Sequence, residues 1–422
     1  MNQLWVVVGA VALAALAAVA LWLDGGEAAG PEGLYLGGLG ERFVVYPAGE
    51  DALALGFADG QVRGLFPDGE GAYTFGPSLG VTQPRQGGVR FEAGGLVWTP
   101  LDGAPIAARK LPLVETPVRF RNGEARLSGT LILPPGPGPF PAVVWLHGSG
   151  PETRRDSLAL AYALAGRGVA SLVYDKRGTG RSTAPDWRAP FEAYARDALA
   201  GVALLRAHPK VRADAVGLFG PSQGGWVAPL AASLDPKAVG FVIVQSGNAV
   251  SPVTQTQFWA GNVLRQKTDL SEDEIAEALA FRQLKYEVVT TGVGRSEYEA
   301  AARALAERRW FPYVTANLPQ EDFWKPNGDY NPIPALRALR CPVLVVFGKR
   351  DNHTSADENL PLMRMALSNH PNATFKVFPD ANHGLFETQT GRLLDDELPE
   401  LSRLVPGYLQ TLEDWILRHA RT

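Results

Sequence analysis

Cysteine is almost missing from this chain: among 422 residues only Cys341 carries a thiol. One thiol cannot form an intramolecular disulfide, and it offers no thiolate cluster to a metal. Its place just before the apolar run Pro342 to Phe347 reads as a small buried hydrophobe, not a nucleophile. Histidine is scarce as well, with six in all, and no His/Cys or paired-His spacing suits a metal site, so no metal and no cofactor is expected. Charge of one sign is also in short supply. Charged residues make up 20% of the chain and the net charge is −4, which leaves no basic field for nucleic acid. The glycines after Tyr174 lack the Walker spacing and its Gly-Lys-Ser/Thr ending, so Asp175 to Ser182 reads as a structural loop and not a phosphate cradle. No internal repeat or heptad is visible.

What is present begins with an uncharged apolar run from Leu4 to Leu23. Its length matches a hydrocarbon core crossed as a helix. A cleavable signal has a basic start and a shorter core, whereas Met1-Asn2-Gln3 is uncharged, so a retained anchor is expected over residues 1–25, with secretion after cleavage as the alternative. The first basic residue is Arg42, so loop charge gives no orientation. By analogy with single N-terminal anchors, the bulk of the chain is expected outside the cytoplasm.

Residues 26–112 show short apolar or aromatic pieces broken by turn pairs, among them Phe43 to Tyr46, Asp59-Gly60, Asp68-Gly69, Tyr73 to Phe75 and Gly94 to Trp98. The spacing predicts a small all-β meander with no catalytic cluster. From Val118 to Leu127 two strands flank an Asn-Gly turn. Further strand-like runs, most of them continuously apolar, follow at Ala142–Leu146, Ala170–Tyr174, Ala215–Phe219, Gly240–Val244, Val343–Phe347 and Thr374–Phe378. Strands covered on both faces read this way, and the helical stretches between them imply a mostly parallel sheet in an α/β domain over 113–422. An interruption at about 248–339 is too long for an ordinary connection. Ser271-Glu272-Asp273-Glu274 and Ser296-Glu297-Tyr298-Glu299 have the capping-box form, which predicts a helical insert. Its aromatics, including Phe258, Trp259, Trp310, Phe311, Tyr313, Phe323 and Trp324, either pack the insert's own core or line an apolar pocket.

Gly220-Pro221-Ser222-Gln223-Gly224 directly follows the strand ending at Phe219. A serine at a sharp strand-to-helix turn, with glycine two before and two after, is a nucleophile elbow. A serine hydroxyl needs a base and an acid to orient that base. His383 lies in a loop after the last strand, where sites gather in open α/β sheets, and is the expected general base. Asp351, at the end of the preceding strand, is the expected acid; Asp380 is a rival but shares the tight loop of His383. The order Ser222, Asp351, His383 differs from the chymotrypsin and subtilisin orders. Oxyanion donors are expected from the amide of Gln223 and from Gly148 or Ser149 in His147-Gly148-Ser149-Gly150.

With these motifs the chain resembles the α/β-hydrolase fold superfamily, and within it bacterial EstD-type carboxylesterases and their serine-aminopeptidase-like kin. The likeness spans roughly residues 115–420 and rests on His147 to Gly150, Asp175 to Ser182 and Gly220 to Gly225. It implies a serine hydrolase that cleaves small-molecule esters of short to medium acyl chains through an acyl-enzyme. Pro221 departs from the histidine that many relatives carry before the serine. A serine peptidase of prolyl-oligopeptidase or aminopeptidase type is the alternative, although the residues before 113 leave no room for a propeller. A non-catalytic, membrane-tethered interaction module is a third reading.

Overall fold

The computed structural model describes residues 30–49, 52–314, 320–391 and 401–420. Eight strands open the fold: β1 Gly33–Gly37, β2 Arg42–Pro47, β3 Leu53–Phe57, β4 Val62–Pro67, β5 Ala72–Phe75, β6 Gly87–Glu92, β7 Gly95–Pro100 and β8 Ile106–Lys110. Each pairs antiparallel with its sequence neighbour, as a meander requires. Tyr35 also pairs with Lys110, so β1 meets β8 and the sheet closes into a barrel. Closure removes both free edges. Period-2 alternation then sorts the side chains: on β2, Phe43 and Val45 enter the barrel core with Tyr35, Leu55, Phe75 and Leu96, while Val44 faces outward.

The second sheet has eight strands in the order β16, β15, β14, β13, β11, β12, β10, β9. These are β9 Val114–Asn122, β10 Ala125–Leu133, β11 Phe140–Trp145, β12 Ala170–Tyr174, β13 Val211–Pro221, β14 Phe241–Gln245, β15 Val343–Gly348 and β16 Ala373–Phe378. β9 and β10 are antiparallel, and β11 through β16 run parallel. In the β9/β10 hairpin Asn122 pairs with Ala125, so the loop is Gly123-Glu124, and Gly123 supplies the left-handed φ of 57° that the turn needs. The expected Asn-Gly turn is thus displaced by one residue.

Helices cover both faces, which is why the central strands are apolar without alternation. On one face lie α1 Leu158–Ala165 and α10 Tyr408–His419, packed on Val143, Trp145, Phe219 and Ile243. On the other lie α2 Phe191–Arg206, α3 Gly224–Leu234, α8 Ile333–Ala338 and α9 Ala356–Ala366, packed on Val144, Leu172, Leu218 and Val345. Val44 of the barrel packs into the first of these cores. Backbone bonds from Val62 to Ser402 (2.7 Å), Leu79 to Leu401 (2.9 Å) and Leu404 to Gly60 (2.8 Å) lace the barrel to the chain before α10.

Between β14 and β15 stands the helical insert, with α4 Pro252–Lys267, α5 Glu272–Thr291, α6 Arg295–Ala304 and α7 Glu321–Asn327. Ser271 forms the expected capping box with Glu274. Ser296 does not cap its helix: Gly294, at φ 84°, takes the N-cap position of α6, and the Ser296 hydroxyl turns to Glu297 instead. Trp310 is fully buried with Phe281, Tyr298 and Phe311 in the insert's own core, whereas Phe323 packs on Phe191 and Trp259 faces His353.

The expected transmembrane helix, and the membrane-anchored or secreted placement drawn from it, is corrected. Among the described residues no helix is long and apolar enough to cross a membrane. The 20-residue α5 has the length but carries Glu, Asp, Arg and Lys along it. Leu4 to Leu23, on which the expectation rested, lies outside the described residues.

Candidate active site

Ser222 follows β13 directly and has φ 49°, a left-handed conformation that a non-glycine residue adopts only when its surroundings impose it. The surroundings are tight. A Cβ on Gly220 would collide with the Gly224 carbonyl, and one on Gly225 would lie 2.5 Å from Gly247 Cα. The Ser222 amide donates to Gln245 O at 2.9 Å, and its carbonyl accepts from Gly225 N at 2.8 Å, which closes the turn into α3. At the end of β14, Ser246 Oγ donates to His383 O at 2.9 Å. Ser222 and His383 are therefore tied to adjacent residues of one strand end.

Behind the imidazole, His383 Nδ1 meets Asp351 Oδ2 at 2.8 Å. The Asp351 side chain is fully buried, and its other oxygen accepts the amides of His353 and Thr354, each at 2.8 Å. A carboxylate can only accept, so Nδ1 carries the proton and Nε2 is left as the acceptor. Asp380 is engaged elsewhere: it forms an exposed pair with Arg350 at 2.9 Å. No hydrogen bond joins the Ser222 hydroxyl to His383 among the described residues. Such bonds are often long before substrate is present.

His353 stacks on His383, with ring centroids 4.8 Å apart and planes 20° from parallel. The insert grips the same loop, since Gln255 Nε2 donates to His353 O at 2.7 Å and Asn262 Nδ2 to Asn352 O at 3.0 Å. Sequence reasoning did not single out this clamp, because it joins residues from separate elements and no motif marks it.

The expected oxyanion segments converge on the same strand ends. Gln223 N has no backbone acceptor among the described loops. Gly148 N is occupied, however, donating to Glu152 Oε2 at 2.7 Å, which leaves the exposed Ser149 as the open position of that loop. His147 donates from Nε2 to Tyr174 O at 2.7 Å and joins the ends of β11 and β12; it lies apart from the Asp351–His383 pair. In the next loop Asp175 and Arg177 are both paired. Asp175 takes Arg154 Nε at 2.9 Å and Nη2 at 2.8 Å, and Arg177 pairs with Asp197 at 2.8 Å. Burial works to raise the Asp175 carboxyl, but the bonds from Arg154 and the Arg181 amide outweigh it and hold it below the usual carboxylate range. Lys176 turns inward to the oxyanion segments. Burial pushes its ammonium down to about 8, against the pull of Glu152.

Two imidazoles near the site are held neutral. Burial, then the Lys176 ammonium, pushes His147 down to about 3, against the Tyr174 carbonyl and Asp175. Burial, then His383, pushes His353 down to about 3, against Asp351. Below 6.5 the unfolded chain takes up protons that the folded chain refuses, so stability falls as pH drops from 6.5 toward about 3. Within that window each group contributes a slope of roughly 1.4 kcal/mol per pH unit. Urea unfolding is expected to show this decline, and His147→Gln, which cannot titrate, is expected to flatten it. An unchanged slope in the variant would contradict the assignment of His147.

The model of the alpha/beta hydrolase family matches residues 143–396, which hold the strand ends, the elbow and the loops of Asp351 and His383. The chain belongs to the α/β hydrolase family. Esterase EstD of Thermotoga maritima is 27% identical over 267 residues, covering 61% of this chain and 57% of that protein. Acyl-coenzyme A thioesterase 1 of Rattus norvegicus is 30% identical over 170 residues, covering 37% of this chain and 36% of that one. The chain thus spans less than two thirds of either curated relative. A solved esterase structure from Pyrococcus furiosus covers 73% of this α/β hydrolase and 92% of its own chain at 16% identity, with a TM-score of 0.47.

Proposed function

We propose that this α/β hydrolase cleaves carboxylic esters of short to medium acyl chains through an acyl-enzyme. The observation that carries the reading is the buried Asp351 carboxylate on His383 Nδ1 at 2.8 Å, at the same sheet edge as a serine held at φ 49°. The named ester and thioester hydrolases among the relatives support it.

In this reading His383 Nε2 takes the Ser222 proton while Oγ bonds to the carbonyl carbon, and the carbonyl electron pair moves onto oxygen. The amides of Gln223 and Ser149 receive that oxyanion, while the Gly148 amide, bonded to Glu152, shapes the Ser149 loop. Collapse breaks the bond to the alkoxy group, which leaves with the proton from His383. Water then repeats the cycle on the acyl-enzyme and releases the acid. Asp351 stabilises the imidazolium formed in both halves and keeps the ring oriented. Among the described residues, those from 33 to 110 form one closed barrel, not the blades of a propeller, which supports an esterase over a prolyl-oligopeptidase-like peptidase.

The test compares p-nitrophenyl esters from acetyl to decanoyl with aminoacyl anilides. Ester turnover that peaks at short or medium chains, with negligible anilide turnover, is expected. Anilide turnover without ester turnover would overturn the proposal.

A further inference from the structure

Lys176 is 2% exposed, yet its ammonium reaches the side chain of Gln223, the residue after the proposed nucleophile. All three of its donors find oxygens: Gly148 O at 2.7 Å, Gly150 O at 3.0 Å and Gln223 Oε1 at 2.9 Å. The first two belong to the loop after β11, and the third to the residue after Ser222. The rings of Tyr194 and Trp187 lie 4.9 and 5.4 Å from Nζ. Burying an ammonium is expensive unless every donor is met, and a merely structural tie between two loops could be made by a neutral amide.

The position of each bond is informative. Gly148 O and Ser149 N belong to one planar trans peptide unit, so their C=O and N–H vectors point in opposite directions. Holding Gly148 O against Lys176 therefore fixes where the Ser149 N–H points, and a cation on the carbonyl polarises that N–H into a stronger donor. Glu152 fastens the same loop from another side, through Gly148 N, while its own carbonyl accepts Lys176 N at 3.2 Å and Thr179 Oγ1 at 2.8 Å. On the serine side, an ammonium can only donate, so it fixes the Gln223 amide with Oε1 toward Nζ. The buried Nε2 of Gln223 is left with no partner in the described structure.

We infer that Lys176 is the positioning residue of the oxyanion site: one buried ammonium sets the Ser149 N–H through Gly148 O, ties that loop to Gln223 through the Gln223 side chain, and adds its charge to the field that receives the oxyanion. The inference rests on the acyl-transfer reading above. Interactions of this kind act on the tetrahedral state more than on bound ester, so their loss falls on kcat and not on KM.

The test is Lys176→Met, assayed with p-nitrophenyl butyrate and with an alkyl trifluoromethyl ketone, whose adduct on Ser222 carries an oxyanion. A fall in kcat of about 100-fold is expected, with KM nearly unchanged and the ketone inhibition constant rising by a similar factor. Should that variant not fold, Gln223→Leu removes one acceptor of Lys176 while keeping the Gln223 amide, and a loss of about tenfold in kcat and ketone affinity together is expected. A folded Lys176→Met with undiminished kcat and ketone affinity, or one whose loss lies wholly in KM, overturns the inference, as does a Gln223→Leu variant that loses neither. A wild-type chain that turns over no ester overturns the acyl-transfer reading and this inference with it; an active wild type beside an unimpaired variant overturns this inference alone.

Discussion

Replacing Ser222 by alanine is expected to lower ester turnover by a factor on the order of 10⁴ to 10⁶ while leaving the fold intact. The change removes a single oxygen, and no hydrogen bond to it holds the turn together. The elbow is closed by backbone groups, through Ser222 N to Gln245 O and Gly225 N to Ser222 O, and alanine keeps both. Any residual rate would come from the oxyanion donors acting on water. Ser222→Gly provides an internal control, because glycine adopts φ 49° without strain. It should be as inactive as the alanine variant yet more stable by about 1 kcal/mol, read as a shift in urea midpoint at constant m-value. An inactive glycine variant with raised stability would separate the chemistry of the hydroxyl from the architecture of the turn.

Asp351→Asn is expected to cost a factor on the order of 10³ to 10⁴ in kcat. The surroundings of the carboxylate dictate the outcome. Two backbone amides, from His353 and Thr354, point at Oδ1. An asparagine must turn its only oxygen toward those donors, since the reverse would set N–H against N–H in a fully buried pocket. Its amide nitrogen then faces His383 Nδ1 and forces that atom to accept. The tautomer flips, Nε2 carries the proton, and the base can no longer take one from Ser222. Circular dichroism and unfolding midpoints near those of the native chain should accompany the loss, because the volume is unchanged and each donor keeps an acceptor. Asp380→Asn, by contrast, alters an exposed pair with Arg350 and should leave kcat within about twofold.

The elbow could be read from the sequence because its constraint is local: only small residues fit where the backbone of Gly220 approaches Gly224, and the apolar strand before it sets the direction of the turn. Most strands of the large sheet were equally plain, since burial on both faces leaves no polar residue to break the runs. The barrel was visible only as a meander, because closure depends on Tyr35 pairing with Lys110, which no local pattern encodes. The cap of α6 was misplaced because Gly294 can take a left-handed conformation that outcompetes the serine two residues later. Around the site, the roles of Lys176, Glu152 and His353 were invisible for a different reason. Each acts on a loop from another part of the chain, and a lysine in a glycine-rich turn looks solvated until its three acceptors converge. The apolar N-terminal run shows the opposite hazard, a strong local signal whose segment lies outside the described residues.

In the proposed reaction everything depends on Ser222 acting as a nucleophile activated by His383. Incubating the protein with a fluorophosphonate, followed by intact-mass analysis and peptide mapping, addresses it directly. One adduct per chain is expected, carried by the peptide containing Ser222, absent in Ser222→Ala and formed far more slowly in Asp351→Asn. An unlabelled native chain, or an adduct that maps to another residue and persists in Ser222→Ala, would contradict it.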